Sequence, residues 1–168
     1  ILIGFFHFGF GQDYAIQYRP INYFPLETSE IESVIESFNN KMLTLNLAGK
    51  KEWKLCEEFV ESLSSSLQQS NQNGQLSVGD SLSLYLQGIA DRLAEANGLQ
   101  KKYYRVILHL DPVPNASNYG EGIILFNLGL LAQLPSESHI AFILGHEMAH
   151  DVQDHVFKGI ESKVRVIQ

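Results

Sequence analysis

The sequence lacks the residues that several classes of protein require. Cys56 is its only cysteine, which excludes an internal disulfide and a thiolate metal site. Its 12 lysines and arginines are outnumbered by 19 aspartates and glutamates, and no basic block exists to bind nucleic acid or an anionic membrane. No apolar run reaches the roughly 20 residues of a transmembrane helix. The expected partners are proteins, peptides or small molecules, and any metal ion must be bound by imidazole and carboxylate.

The first residues, "ILIGFFHFGFGQ", are apolar over about the length of the hydrophobic region of a signal peptide. Gly9 and Gly11 stand three and one residues before a possible cleavage ahead of Gln12. This pattern predicts that residues 1–11 are the remnant of a signal peptide and that the protein is exported, to a periplasm or outside the cell. The alternative is a buried N-terminal strand.

Apolar residues recur at three- and four-residue steps in three segments, and each segment predicts an amphipathic helix. The predicted helices span residues 28–47, 51–69 and 79–96. A polar run, "QQSNQNGQ", follows the second helix and predicts an exposed loop.

The second half of the chain alternates strand and helix patterns. "YYRVILHLDP" predicts a strand over residues 103–110, "PVPNASNYGEG" predicts a loop, and "GIILF" predicts a short strand over residues 123–126. A long helix is predicted over residues 137–157, with Ser136 as its N-cap and Gly159 at its end. The expected fold class is α+β, mostly helical with a small sheet.

The stretch "GHEMAH", residues 145–150, contains the candidate metal ligands and the candidate general base. On a helix, His146 and His150 lie about 40° apart and about 6 Å along the axis, so both imidazoles can reach one metal ion. Glu147 is turned about 100° from His146, which places its carboxylate beside that ion. Two zinc ligands and a general base predict metal-assisted peptide hydrolysis. The alternative, two core histidines and a surface glutamate, would bury polar groups without partners at a high cost.

Two histidines do not complete a catalytic zinc site, which typically has three protein ligands. His139 would lie about 10 Å along the helix, too far to bind the same ion. His109, at the end of a predicted strand, is left open as a third ligand. His155 would be turned about 180° from His146 on a continuing helix, so it is predicted to point elsewhere, into a structural hydrogen bond.

Residues 114–155 resemble the zinc metallopeptidases of the CAAX prenyl protease, HtpX and BepA type. The resemblance rests on the Asn115-Ala116 pair, a glycine at Gly122 that opens a strand, the turn "GLL" at residues 129–131, and HExxH followed by His155. One departure is that the stretch after Asn-Ala, usually apolar in this family, is the polar "SNYGE".

The resemblance implies a zincin-like fold with a long active-site helix, one zinc ion on His146 and His150, and Glu147 as catalytic base. It also implies that an extended peptide pairs with a strand edge along the cleft. The implied substrate-binding residues are Asn115, Ala116, Gly122, Ile123, Ile124 and Leu125.

The third zinc ligand of the resembling family is a glutamate on a later helix, which is expected here beyond residue 168. Residues 77–168 are therefore interpreted as the first part of a metallopeptidase domain that follows a helical segment, residues 12–76. A chain without the third ligand is expected to be inactive and, with two imidazoles alone, to bind zinc weakly.

The predicted function is that of a zinc-dependent endopeptidase acting on proteins and peptides, in a setting of exported-protein quality control. The alternative is a binding or chaperone-like module that keeps the same fold without turnover.

Overall fold

The computed structural model describes residues 24–45, 47, 49–100 and 103–166, with side chains of the last helix described to residue 162. In chain order the elements are α1 (Thr28–Met42), α2 (Lys50–Gln72), β1 (Leu76–Ser77), α3 (Ser81–Ala96), β2 (Arg105–His109), β3 (Ala116–Gly120), β4 (Ile123–Asn127), α4 (Leu128–Leu131), α5 (Glu137–Val152) and α6 (His155–Val166). The predicted signal-peptide remnant, residues 1–11, lies outside the described residues. Among the helices that are described, none combines the length and the apolar character that a bilayer crossing needs.

The sheet has four strands in the order β1-β2-β4-β3. The central strand β4 runs parallel to β2 and antiparallel to β3, while β1 is antiparallel to β2. All five residues of β4, "IILFN", are buried, because helices cover both faces of the sheet. β1 and β3 are therefore the two edges of the sheet.

Helices pack on both faces of this sheet, and successive strand residues point to opposite faces. On one face, Ile107, Ile123 and Leu125 join a core built by α1, α2 and α6. On the other face the sheet packs against α3 and α5, through Val106, Leu108, Ile124, Phe126, Ile140, Leu144 and Met148. The helices of the N-terminal segment thus share a core with the sheet. The α+β class expected from the sequence agrees with this mixture of helices and a small sheet.

The three early helices form where their apolar periodicity predicts them, with shifted ends. α3 begins after Asp80, whose carboxylate accepts the N–H groups of Leu82 and Ser83 at 2.8 and 3.0 Å. Such an N-cap satisfies backbone donors that have no partner inside the helix. α1 is shorter than predicted and ends at Met42, while α2 is longer and ends at Gln72.

Strand β3, "ASNYG", was predicted as a loop, and that prediction is wrong. Its residues are polar and half-buried up to Gly120, so no alternating apolar pattern marks it. It becomes a strand because β4 offers it hydrogen-bonding partners, with Ser117 opposite Leu125. An irregularity between Asn118 and Gly120 interrupts the register. The short strand β1 was also missed, because two residues are too few to show an alternating pattern.

The prediction of one helix over residues 137–157 is also wrong, because α5 ends at Val152 and α6 begins at His155. Asp154 takes a left-handed conformation with φ +58°, which aspartate tolerates better than most residues, and this turns the chain. Its carboxylate pairs with Lys41 at 3.2 Å. The turn allows Phe157 and Ile160 of α6 to enter the core beside α1.

Gly129 allows the loop before β3 to pack closely on α4. A Cβ at this position would overlap the carbonyl oxygen of Pro112. Gly129→Ala is therefore expected to lower the free energy of unfolding by about 3 kcal/mol, as for severe overpacking. Gly159→Ala, in α6 with no atom within 4 Å of the added Cβ, is the control and is expected to raise it by about 0.5–1 kcal/mol. Urea unfolding measures both, and equal stabilities would contradict this packing.

Candidate active site

Helix α5 directs the side chains of His146 and His150 to one point. Their Nε2 atoms lie 3.0 Å apart, and the rings meet edge to face with centroids 4.6 Å apart. Two imidazole nitrogens bound to one tetrahedral zinc ion, each at 2.0–2.1 Å, would be about 3.3 Å apart. His146 is exposed and His150 half-buried, so both rings are accessible to solvent. The pair therefore fits a single metal ion.

Glu147 lies on the side of α5 that faces the sheet. It is only 9% exposed, and its Oε2 accepts the backbone N–H of Asn118 at 2.8 Å. This hydrogen bond joins the helix to strand β3 and fixes the carboxylate at the base of a cleft of about 380 Å³. The cleft is lined by Ala116, Ser117, Asn118, Glu147, His150, His155 and Val156.

The other candidate ligands are held away from this cleft. His109, left open as a third ligand, has its Nδ1 3.2 Å from Oδ1 of Asn127 and does not line the cleft. His139 has its Nδ1 2.8 Å from Oγ of Ser136, at the start of α5. Within the described part of the chain, no three His, Cys, Asp or Glu side chains group so as to hold a metal ion. A glutamate beyond residue 168 as third ligand stays a prediction.

His155 is brought to the cleft, although the sequence predicted that it points elsewhere. Its Nδ1 lies 2.7 Å from Nδ1 of His150, and the two ring centroids are 4.9 Å apart. That prediction assumed a helix that continues past Val152. The turn at Asp154 instead folds α6 back, so that its first residue contacts the last turn of α5.

The strand predicted to bind substrate does not have a free edge. β4, which contains Ile123, Ile124 and Leu125, is paired with β2 on one side and with β3 on the other. Its main chain is therefore occupied on both sides and cannot pair with a peptide. The implied role of Ile123, Ile124 and Leu125 as a substrate-pairing edge is accordingly corrected.

The edge that borders the cleft belongs to β3. Asn127 donates its N–H to the carbonyl of Asn115 at 2.9 Å, which makes these residues a hydrogen-bonded pair of the ladder. In an antiparallel ladder the following residue, Ala116, then directs its N–H and C=O away from the partner strand, and so does Asn118. Asn118 indeed donates outward, to Glu147. Of the predicted substrate-binding residues, Ala116 lies at this edge, whereas Asn115 pairs inward.

Gly122 holds the turn between β3 and β4 rather than a substrate. Its φ is +73°, and a Cβ there would overlap the carbonyl oxygen of Tyr103. Its N–H donates to Oδ1 of Asp151 at 3.0 Å. Gly122 is thus buried in contacts of the fold, which corrects the substrate-binding role implied for it.

Asp151 is a residue of the site that the sequence analysis missed. It lies one helical turn after Glu147, on the same side of α5, and accepts a hydrogen bond from the Tyr103 hydroxyl as well as from Gly122. Burial raises the pKa of Tyr103 well above its ordinary range, and the negative charge of Asp151 adds to the rise. The available signal was the four-residue spacing of Glu147 and Asp151, which places two carboxylates on one helix face.

With this geometry established, comparison with known families shows the class of protein. A model of peptidase family M48 matches residues 81–168, from the first residue of α3 onward. This match covers just over half of the chain, and the chain belongs to peptidase family M48, a family of metallopeptidases. Neither a curated protein nor a solved structure gives a significant match.

Asp151→Asn removes the charge beside Tyr103 and keeps an oxygen that can accept hydrogen bonds. The pKa of Tyr103 is expected to fall, yet to stay above about 10, because burial, its largest cause, remains. NMR of ¹³C-labelled tyrosine rings measures the titration. Tyr119, whose pKa is raised by burial alone, is the internal control and is expected to be unchanged. An unshifted Tyr103 would show that the charge of Asp151 does not act on it.

Proposed function

We propose that the protein is a zinc-dependent endopeptidase that hydrolyses extended segments of other proteins. The observation that carries this proposal is the convergence of the His146 and His150 Nε2 atoms, 3.0 Å apart, beside the buried carboxylate of Glu147. The membership in family M48 supports metal-dependent peptide hydrolysis as the reaction class.

His146 and His150 are the residues of this chain that would hold the zinc ion. Nitrogen donors from imidazole combined with an oxygen donor make zinc the expected metal, and the third protein ligand is expected from a glutamate beyond residue 168. When bound, zinc acts as a Lewis acid toward the peptide carbonyl and lowers the pKa of water to about 7. The partly open position of both rings leaves room for a peptide to approach.

Glu147 is assigned the role of general base. Its Oε2 is held by the Asn118 N–H, so proton transfer is assigned to the other oxygen, Oε1. Glu147 accepts a proton from the attacking water and delivers it to the nitrogen of the leaving amine. Because a backbone group of β3 orients the carboxylate, its position depends on the distance between α5 and the sheet rather than on a flexible side-chain partner.

The peptide is proposed to bind at the edge of β3 beside Ala116, because the outward N–H of Asn118 is already bonded to Glu147. An extended segment can pair with an exposed strand through main-chain hydrogen bonds, while the side chains of the peptide are recognised weakly. The outward N–H and C=O of Ala116 lie at the cleft that also contains Glu147 and His150. Recognition of the main chain favours broad specificity, as required for unfolded or damaged proteins. We propose the quality control of exported proteins as the setting.

Glu147→Gln tests the catalytic role. The amide oxygen of glutamine can still accept the Asn118 N–H, but the side chain can no longer take a proton. In the full-length protein, turnover of an unstructured protein substrate is expected to fall about 10²- to 10⁴-fold, with zinc content unchanged. Glu137→Gln is the matched control on the same helix, because Glu137 lies at its start and is exposed.

The same assay separates the peptidase from a binding or chaperone-like module. A binding module would retain its peptide affinity and biological function in Glu147→Gln and show no turnover in the unaltered protein. Turnover that persists in Glu147→Gln would remove Glu147 as the base. Loss of turnover on chelation, restored by added zinc, is expected of the peptidase alone.

Ala116→Pro tests the strand edge. Proline removes the outward N–H of Ala116 and is tolerated on an edge strand where that group faces solvent. Loss of one main-chain hydrogen bond to the peptide is expected to raise KM about 2- to 12-fold, with a smaller effect on kcat. Ala116→Ser keeps the N–H and serves as control. An unchanged KM in the proline variant would show that the peptide does not pair with β3 at this residue.

A further inference from the structure

His155 occupies the position from which a side chain can reach the far side of the His150 ring. His150 contacts two other imidazoles, one at each of its nitrogens. Its Nε2 lies 3.0 Å from Nε2 of His146, and its Nδ1 lies 2.7 Å from Nδ1 of His155. The first contact is where the two donor nitrogens converge, and the second is on the opposite side of the ring. His155 is therefore placed behind His150 rather than beside the metal position.

The position of His155 is fixed by the fold around it. The left-handed turn at Asp154 is tied by the Asp154 N–H to the carbonyl of Asp151 at 2.8 Å and by the ion pair with Lys41. Two residues after His155, Phe157 is 1% exposed and packs against Phe38 with ring centroids 5.9 Å apart. Because both the turn and α6 are anchored, the backbone of His155 has little freedom to move away from His150.

A metal-binding imidazole needs a hydrogen-bond acceptor for the N–H on its other ring nitrogen, here Nδ1 of His150. A neutral imidazole carries one N–H, so a lone pair on Nε2 of His150 for the metal requires the proton on Nδ1. Histidines that bind metal almost always donate this second N–H to an acceptor, which fixes the tautomer and the ring orientation. For His150, the atom within hydrogen-bond distance of Nδ1 is Nδ1 of His155, and it can accept as an unprotonated nitrogen.

We propose that His155 is a positioning residue for the metal site: it accepts a hydrogen bond from Nδ1–H of His150 and thereby directs Nε2 of His150 toward the zinc ion. This inference rests on the proposed function, because it takes His150 as a zinc ligand. In other metal sites the second N–H of the histidine ligand is accepted by a carboxylate, a carbonyl or a water molecule. Here the acceptor is a neutral nitrogen of His155.

Zinc affinity tests the proposal directly. The affinity is measured by competition with a chromophoric zinc chelator in the full-length protein, both unaltered and in variants at three histidines. His155→Ala is expected to weaken zinc binding about 10- to 100-fold, the range for loss of such a partner. His155→Asn is expected to recover most of this loss, because its side-chain oxygen can accept the same N–H. His139→Ala, on the same helix as the ligands and paired with Ser136, is expected to leave the affinity unchanged.

The outcomes separate this inference from the proposed function. If the unaltered protein binds zinc, His146→Ala abolishes binding and His155→Ala binds as the unaltered protein does, the inference alone is overturned. It is also overturned if His155→Asn fails to recover the affinity, because a side-chain oxygen at this position can accept the same N–H. If His146→Ala binds zinc as well as the unaltered protein, the proposed metal site fails, and the inference fails with it.

Discussion

Two hydrogen bonds from one face of helix α5 to the edge of the sheet determine the geometry on which the rest of the site depends. Glu147 accepts the N–H of Asn118, and Asp151, one helical turn later, accepts the N–H of Gly122. Both donors are backbone groups, so the strand and its turn are held at a fixed distance from the helix that carries the histidines. A buried carboxylate left without these donors would be costly, which couples formation of the site to packing of the helix on the sheet. Each carboxylate thus serves the fold, and Glu147 serves the proposed chemistry as well.

Helix α6 extends this arrangement to the other face of the sheet. Its apolar residues Phe157 and Ile160 enter the core formed with α1 and α2, while its first residue, His155, contacts His150. The early helices of the chain therefore bear on the site indirectly, since Lys41 and Phe38 of α1 contact the turn and α6. α5 and α6, which meet at the cleft, thus pack on opposite faces of the same sheet.

The polar stretch "SNYGE" follows from the place of β3 in the sheet. In the resembling peptidases this stretch is usually apolar, and here its polar residues lie at an edge beside the cleft. Asn118 uses its backbone N–H for Glu147, and its side-chain Oδ1 accepts the N–H of Gly120 at 2.8 Å. These bonds stabilise the end of the strand without apolar packing. The resemblance implied that β4 is the substrate strand, but the apolar character of β4 reflects its burial at the centre of the sheet.

Local sequence patterns account for the features that depend on neighbours along the chain. Helical periodicity located α1, α2 and α3, and the four-residue spacing of His146 and His150 predicted their convergence, because a helix fixes the relation between such residues wherever it lies. Which strand lies at an edge of the sheet, where α5 ends, and that His155 contacts His150 follow only from the tertiary structure. These features arise from partners distant along the chain, such as β4 for β3 and Lys41 for Asp154, and no local pattern of residues encodes them.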